Sequence, residues 1–98
     1  MPRGSVSGTV QAKKEQMYLK AFPLRNINEI AKIKEEISKN MIIILRITPL
    51  AQKNVDELRK AVEELYDFVI SLGGDIARLG EERVVLTPPG VRVWRGAI

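Results

Sequence analysis

The sequence predicts an α/β (α+β) sandwich in which two helices pack on one five-stranded mixed sheet, in the order β-α-β-α-β-β-β. Three observations lead to this fold class. Strand-like and helical patterns alternate along most of the chain, a β-branched run, MIIILRI, lies between two helical patterns, and glycine and proline turns divide the last part into short alternating segments. A chain of 98 residues with 45% apolar side chains has material for one core.

The start of the chain, MPRGSVSGTVQAKKEQ, differs from the rest in composition. It has no continuous apolar segment of the kind found in signal peptides, and no apolar stripe at helical spacing. We therefore expect residues 1–16 to be a flexible tail or a remnant of cloning, and residues 17–98 to form a single domain.

The first half of the domain predicts a strand, a helix and a second strand. Met17–Phe22 alternate between two faces, which is typical of a strand. Asn26 is followed at the capping-box offset by Glu29, so a short helix should begin there and end near Asn40. The segment MIIILRIT, from Met41, is apolar without alternation, which predicts a central strand covered on both faces.

The second half predicts a long helix followed by a β-meander. Asn54 is a good helix cap, and apolar residues then recur at three-four spacing until Gly73-Gly74 end the helix: Val55, Leu58, Val62, Leu65, Val69 and Leu72. Three short strands should follow, and Gly73, Gly74, Gly80, Pro88, Pro89 and Gly90 should be structural turn residues. We expect the strands at residues 75–79, 83–87 and 91–94.

The long helix also carries apolar residues outside its main stripe. Tyr66, Phe68 and Ile70 leave little polar surface around Val69, so this part of the helix needs a second neighbour. One explanation is another chain, either a second copy, with these four residues in a dimer interface, or a peptide bound in a groove. The other is that the first helix covers them.

The composition argues against catalysis and metal binding. The chain contains no cysteine and no histidine, so the commonest metal ligands and the commonest general base are missing. The acidic residues of the long helix lie on its solvent-facing arc beside Arg59 and Lys60. We therefore expect no catalytic residues, no metal, no cofactor and no small-molecule substrate. No stretch approaches the ~20 apolar residues that a membrane span needs.

The net charge of +4 raises the question of nucleic acid. The element order and the basic charge resemble the small archaeal chromatin protein Alba, and a small basic dimeric nucleic-acid-binding protein is the alternative function. However, half of the excess charge lies in the first sixteen residues, and the meander turns through Glu81 and Glu82, which would repel phosphate. We expect no specific nucleic-acid binding.

The meander also resembles the SepF family of cell-division proteins. The similarity lies in ELYDFVISL followed by GGDIARLGEERVVLTPPGVRV, where a helix ends in glycine, a strand of the type G-D-I-x-R-x-G follows, and the next strand closes in T-P. The matching residues are Gly74-Asp75-Ile76, Arg78, Gly80 and Thr87-Pro88. The resemblance extends over nearly all of residues 17–98.

The resemblance implies a non-enzymatic protein of the archaeal SepF-like type. Such proteins form dimers, which can assemble into higher polymers, and bind the C-terminal tail of FtsZ. They tether FtsZ to the inner face of the cell membrane, so the implied location is cytoplasmic, at the division site. Members usually attach to lipid through an N-terminal amphipathic helix, which residues 1–16 do not supply. We therefore expect membrane attachment of the full-length protein and assign it to no residue of this chain.

The resemblance also suggests residues that bind the FtsZ tail. Arg78 matches a basic position that can face the tail, with Val84 as an apolar seat one strand away and Tyr66 as an aromatic contact on the long helix. A phenylalanine common in the closing strand of the family is aliphatic here, at Val84 or Val85. The alternative for Arg78 is a local ion pair with an acidic residue of the Glu81-Glu82 turn.

Overall fold

A computed structural model describes residues 16–96 and shows an α+β fold with one mixed sheet. The strands are β1 (Tyr18–Pro23), β2 (Met41–Arg46), β3 (Ile76–Leu79) and β4 (Arg83–Leu86), in the spatial order β1-β2-β4-β3. β1 pairs with β2 in parallel, and the other two pairs are antiparallel. The α-helices are α1 (Ile30–Ser38), α2 (Thr48–Lys53) and α3 (Val55–Ser71), with a 3-10 turn, Ile27–Glu29, before α1. Nearly all of the expected tail lies outside the described residues.

The expected count of five strands and two helices is wrong for the described chain, which has four strands and three α-helices. The predicted last strand, residues 91–94, forms no ladder because side chains satisfy its backbone. The Val93 N–H donates to the Asp75 carboxylate at 2.8 Å, and the Val91 carbonyl accepts from the Thr87 hydroxyl at 2.6 Å. The additional helix is α2, where Pro49 lies in the first turn, a position at which a helix loses no hydrogen bond.

Both predicted helix caps are confirmed. The Asn26 side chain accepts from the Asn28 N–H at 3.0 Å and Glu29 completes the capping box. The Asn54 side chain accepts from the Glu57 N–H at 3.0 Å at the start of α3. The Asn26 cap begins the 3-10 turn that leads into α1, and the Asn54 cap begins α3.

One side of the sheet, here called the covered face, carries the core. Alternate residues of β2 and β4 point towards α1 and α3, and Ile43 and Leu86 are a directly opposed pair with no exposed surface. The helices contribute isoleucines from α1 and the inner stripe of α3. The buried members of the core on these elements are Ile30, Ile33, Ile37, Ile43, Leu45, Ala61, Leu65, Val69, Val84 and Leu86.

The other side of the sheet, the open face, has no described helix over it. The prediction that β2 is covered on both faces is therefore wrong: Ile42 and Ile44 point away from α1 and α3 and are half-buried. Leu19 is 64% exposed and Leu79 is 44% exposed. The open face consists of Leu19, Ala21, Ile42, Ile44, Ala77, Leu79 and Val85, with Arg46 and Arg83 at one end.

Candidate functional site

A groove of about 430 Å³ runs between α3 and the edge strand β3. We call it the α3/β3 groove. One wall is a stripe of α3, and the other wall and the floor come from β3 and β4. The residues that line it are Ile47, Val55, Leu58, Arg59, Val62, Glu63, Tyr66, Ile76, Ala77, Arg78 and Val84.

The groove exists because the helical layer ends before the sheet does. Val84, on β4, lies beneath the helices and is only 4% exposed. Its partner on β3 is Arg78, which is exposed, and Ile76 two residues earlier is half-buried. The covered face of the outermost strand is therefore only partly covered, and α3 stands beside it as a wall.

The three residues predicted to bind the FtsZ tail all line this groove. Arg78 lies on β3, Val84 forms part of the floor, and Tyr66 projects from α3 with 51% of its surface exposed. Val85, the other aliphatic candidate for the aromatic position of the family, lies on the opposite side of the sheet. The geometry therefore associates Val84, and not Val85, with the groove.

The Arg78 guanidinium is held by backbone carbonyls. It donates from Nη2 to the Glu81 carbonyl oxygen at 3.0 Å and from Nε to the Gly80 carbonyl oxygen at 3.4 Å. Within residues 16–96, no carboxylate lies within 4.0 Å of it, so the alternative of an ion pair with Glu81 or Glu82 is not formed. Arg78 thus presents an uncompensated positive charge at the rim of an apolar groove.

The α3 wall adds two more charges to the rim. Arg59 pairs with Asp56 at 3.1 Å, but both side chains are largely exposed, and such surface pairs contribute little. Glu63 lies one turn further along the helix. The rim therefore offers guanidinium groups on both walls and one carboxylate on the helical wall, above a floor of aliphatic side chains.

The four residues predicted for a dimer interface fall into two groups. Val69 has no exposed surface and belongs to the core, and Phe68 packs against that core with the Lys34 ammonium 5.3 Å from its ring centroid. Phe68 thus contacts the first helix, as the alternative expects, and Val69 is part of the core of the same chain. Tyr66 and Ile70 remain exposed.

A second exposed apolar surface is the open face. The sequence carries a signal for it, since Leu19, Ala21, Leu79 and alternate residues of MIIILRI are apolar. From the sequence alone, either the long helix or the exposed face of the sheet could form a dimer interface, and the continuous apolar run of β2 predicts a strand covered on both faces.

Gly74, Asp75 and Thr87 of the meander motif hold β3 and β4 together at the end opposite their connecting turn. A side chain at Gly74 would collide with the Thr87 carbonyl oxygen. The Thr87 hydroxyl accepts from the Asp75 N–H at 2.7 Å, and the Thr87 N–H donates to the Asp75 carbonyl at 2.9 Å. At the other end the turn requires a positive φ of 68° at Gly80. Gly73 and Gly90 also have positive φ.

Asp75 also anchors the segment after β4, in an arrangement that we call the Asp75–Arg95 clamp. Its carboxylate accepts two bonds from the Arg95 guanidinium, at 2.8 and 3.1 Å, and one from the Val93 N–H at 2.8 Å. The Arg95 hydrogen bond, and then that of Val93, lowers the pKa of Asp75 well below its ordinary value. The same bond raises the pKa of Arg95. The clamp is thus ionised at neutral pH.

The described residues show neither a metal centre nor a membrane span. Between residues 16 and 96, no group of three or more acidic, histidine or cysteine side chains is placed to hold a metal ion. No helix in this range has the length and apolar character to cross a bilayer. The α3/β3 groove and the open face are two surfaces of the described residues that a partner could contact.

Comparison with known proteins supplies a family for this arrangement. The sequence profile described as "Cell division protein SepF" matches residues 20–93. A SepF-like protein from Archaeoglobus fulgidus has a similar structure, with a TM-score of 0.76 and 30% sequence identity, covering 83% of this chain and 96% of that one. A SepF-like protein from Pyrococcus furiosus has a TM-score of 0.73 and 25% identity, covering 81% and 95%. None of the curated proteins matches the sequence significantly.

Proposed function

The chain belongs to the SepF family of cell-division proteins, and on this basis we propose that it binds the C-terminal tail of FtsZ in the α3/β3 groove and pairs with a second copy through the open face. It works by binding and not by catalysis. The family match extends over residues 20–93 and so replaces the Alba-like alternative.

The tail-binding proposal rests on one observation, that Arg78, Val84 and Tyr66 line the same groove. A short peptide with apolar anchors fits an aliphatic floor, and an acidic neighbour of those anchors fits the Arg78 guanidinium, which has no described carboxylate partner. Ordering a disordered tail costs several kcal/mol, so affinity per site should be on the order of micromolar.

The dimer proposal depends on the chemistry of the open face. In a sheet with one solvated face, the outward residues are normally polar. Here Ala21, Ile44, Val85 and Ala77 are apolar neighbours across the four strands, and Leu19 and Ile42 form a second apolar pair beside them. A second copy packing sheet against sheet would remove these side chains from water in a symmetric interface. The open face offers more apolar side chains than the exposed pair Tyr66 and Ile70 on α3.

Tethering to the membrane is proposed for the full-length protein and is assigned to no described residue. A dimer would present two grooves to an FtsZ polymer, which carries many tails. Simultaneous engagement of two tails would raise the apparent affinity through effective concentration, with no new contact at either groove.

Calorimetric titration with a synthetic peptide of the FtsZ tail from the same cell tests the groove. We expect micromolar binding to the unaltered chain, and a loss of about tenfold or more for Arg78→Ala and for Tyr66→Ala, each of which removes a side chain of the rim or wall. Ile70→Ala is the matched control because Ile70 is exposed on the same helix but does not line the groove.

Two results would count against the proposal. Absence of heat at tens of micromolar peptide would remove the FtsZ tail as the partner. Binding that is weakened by Ile70→Ala but unchanged by Arg78→Ala and Tyr66→Ala would place the tail elsewhere on α3.

A further inference from the structure

The two walls of the α3/β3 groove offer different contacts to a peptide. From this difference we infer that the partner binds in the groove as an amphipathic helix alongside α3, and does not add as a strand to β3. The inference rests on the proposed function, because it concerns the form in which the tail is bound at the same site. It adds a class of ligand, a short helix with one apolar stripe and an acidic flank.

The α3 wall has the spacing of a helix-packing surface. The residues that it contributes recur at intervals of three and four: Val55, Leu58, Arg59, Val62, Glu63 and Tyr66. Such a stripe forms the ridges between which the side chains of a second helix pack. At 1.5 Å per residue, the stripe is about 16 Å long, which matches a helix of about three turns.

The floor of the groove has room for a helix beside α3. In a two-layer α/β fold, helices pack on the sheet side by side. α1 and α3 lie over the inner strands, while Ile76 remains half-buried and Arg78 exposed on the edge strand. The groove therefore occupies the position that one more helix, packed beside α3, would fill, with α3 on one side and the covered face of β3 beneath.

The edge of β3, in contrast, is already bonded where a new strand would start. Because the Thr87 N–H donates to the Asp75 carbonyl, these two residues form a hydrogen-bonded pair, and the backbone of Ile76 points away from β4. Its N–H donates to the Asp75 carboxylate at 2.9 Å, and its carbonyl accepts from Arg95 at 2.6 Å. An added strand would have to displace the Asp75–Arg95 clamp.

The charged residues of the rim determine which flank of the bound helix should carry a carboxylate. Arg78 lies on the strand side and has no carboxylate partner within 4.0 Å among residues 16–96. Arg59 and Glu63 lie one turn apart on the helical side. A carboxylate on the flank of the bound helix that faces β3 would therefore be favoured, and a lysine or arginine at that flank would be disfavoured.

The experiment uses the complete chain and an isotope-labelled synthetic tail peptide. Nuclear magnetic resonance of the bound peptide reports its backbone through the Cα and Cβ chemical shifts. We expect helical shifts over about three turns, and about fivefold weaker binding for each glycine placed at a solvent-facing position of that helix. On the protein, Val62→Ala in the middle of the α3 wall should weaken binding about tenfold.

Arg95→Ala separates the two modes of binding. It releases the Ile76 carbonyl at the edge of β3, so strand addition should become tighter, whereas helix binding should change less than about twofold. Helical shifts with unchanged affinity in Arg95→Ala support the inference. Extended shifts, or tighter binding by Arg95→Ala, overturn it and leave the proposed function intact. Absence of binding to the unaltered chain overturns the proposed function itself.

Discussion

The two faces of the sheet are similar in composition but differ in what lies over them. On β2, Ile43 has no exposed surface and packs under the helices, while its neighbour Ile44 points to the open face and is half-buried. Isoleucine thus has two different environments at successive positions, because adjacent residues of a strand point to opposite faces of the sheet. An apolar pattern determines which residues avoid water, but not whether the same chain or another one covers them.

The largest expected effect comes from truncating this pair. Ile43→Ala should lower the free energy of unfolding by about 2–5 kcal/mol, because it leaves a cavity in the closed core. Ile44→Ala should lower the free energy of unfolding of the monomer by less than half as much, because that side chain is in contact with water there. Urea denaturation at a concentration at which light scattering detects only monomer checks both. Equal losses would mean that the open face is covered within one chain.

The second test introduces a charge on the open face. Ile44→Glu should leave the fold intact and weaken the dimer at least about a hundredfold, because a symmetric interface would bury two unpaired carboxylates. Light scattering should then report a mass near the 11.0 kDa of one chain at concentrations where the unaltered protein is a dimer.

Ile70→Glu is the control for that test, since Ile70 is exposed on α3 and belongs to the surface first proposed for pairing. We expect it to remain dimeric. Dissociation by Ile70→Glu, with Ile44→Glu still dimeric, would move the interface from the sheet to the helix. A monomer for the unaltered chain at micromolar concentrations would exclude the dimer.

The third test concerns the edge of the sheet, where Asp75 holds the segment after β4. Asp75→Asn should lower stability at pH 7 and speed hydrogen exchange of the Val93 amide, which loses an ionised acceptor. Since the pKa of Asp75 is lower in the folded chain than in the unfolded chain, this contribution is complete above the unfolded pKa and is lost as the pH falls through the folded pKa.

Urea titrations at pH 7, 5 and 3 measure how much lower the free energy of unfolding is for Asp75→Asn than for the unaltered chain. This difference should be the same at pH 7 and pH 5 and smaller at pH 3. Asp56→Asn provides the comparison, because that carboxylate is exposed and pairs only with Arg59 within the described residues. A difference between Asp75→Asn and the unaltered chain that grows as the pH falls would contradict the assigned role.

The smallest expected effect is at the charged end of the open face. Arg46 and Arg83 are directly opposite each other on β2 and β4, and like charges in such a pair are destabilising. Arg83→Gln should raise the stability of the monomer by about 0.2–1 kcal/mol at low salt, and by less at high salt. Thermal denaturation at two ionic strengths measures it. Arg25→Gln, outside the sheet, should show no such gain; an equal gain there would indicate a general effect of net charge.

Local signals in the sequence predicted most of the secondary structure. The caps at Asn26 and Asn54 and the glycines at positions 73 and 80 act through nearby backbone groups, so their effect can be derived from spacing. The last strand could not be derived in this way. Val91 and Val93 alternate as a strand would, but their backbone groups bond to Thr87 and Asp75, and these contacts appear only in the folded chain.

The sequence proposes residues for the candidate site but not its shape. Arg78 and Val84 follow from the family resemblance and Tyr66 from its amphipathic ring; all three line one groove, and their role in binding a tail stays a prediction. The groove itself depends on where α3 crosses the sheet, which leaves β3 outside the helical layer. Long-range packing decides that position, and no spacing along α3 encodes it.

The sequence by itself determined the order of the main elements, the residues that avoid water and the family, because hydrophobic period, caps and a compact motif are local properties of the chain. The tertiary structure decided which apolar face is closed and which is open, how the segment after β4 is held, and where the groove lies. These features depend on which surfaces meet across the fold. Ile43 and Ile44 are equivalent as letters, and only the position of α1 and α3 gives them different environments.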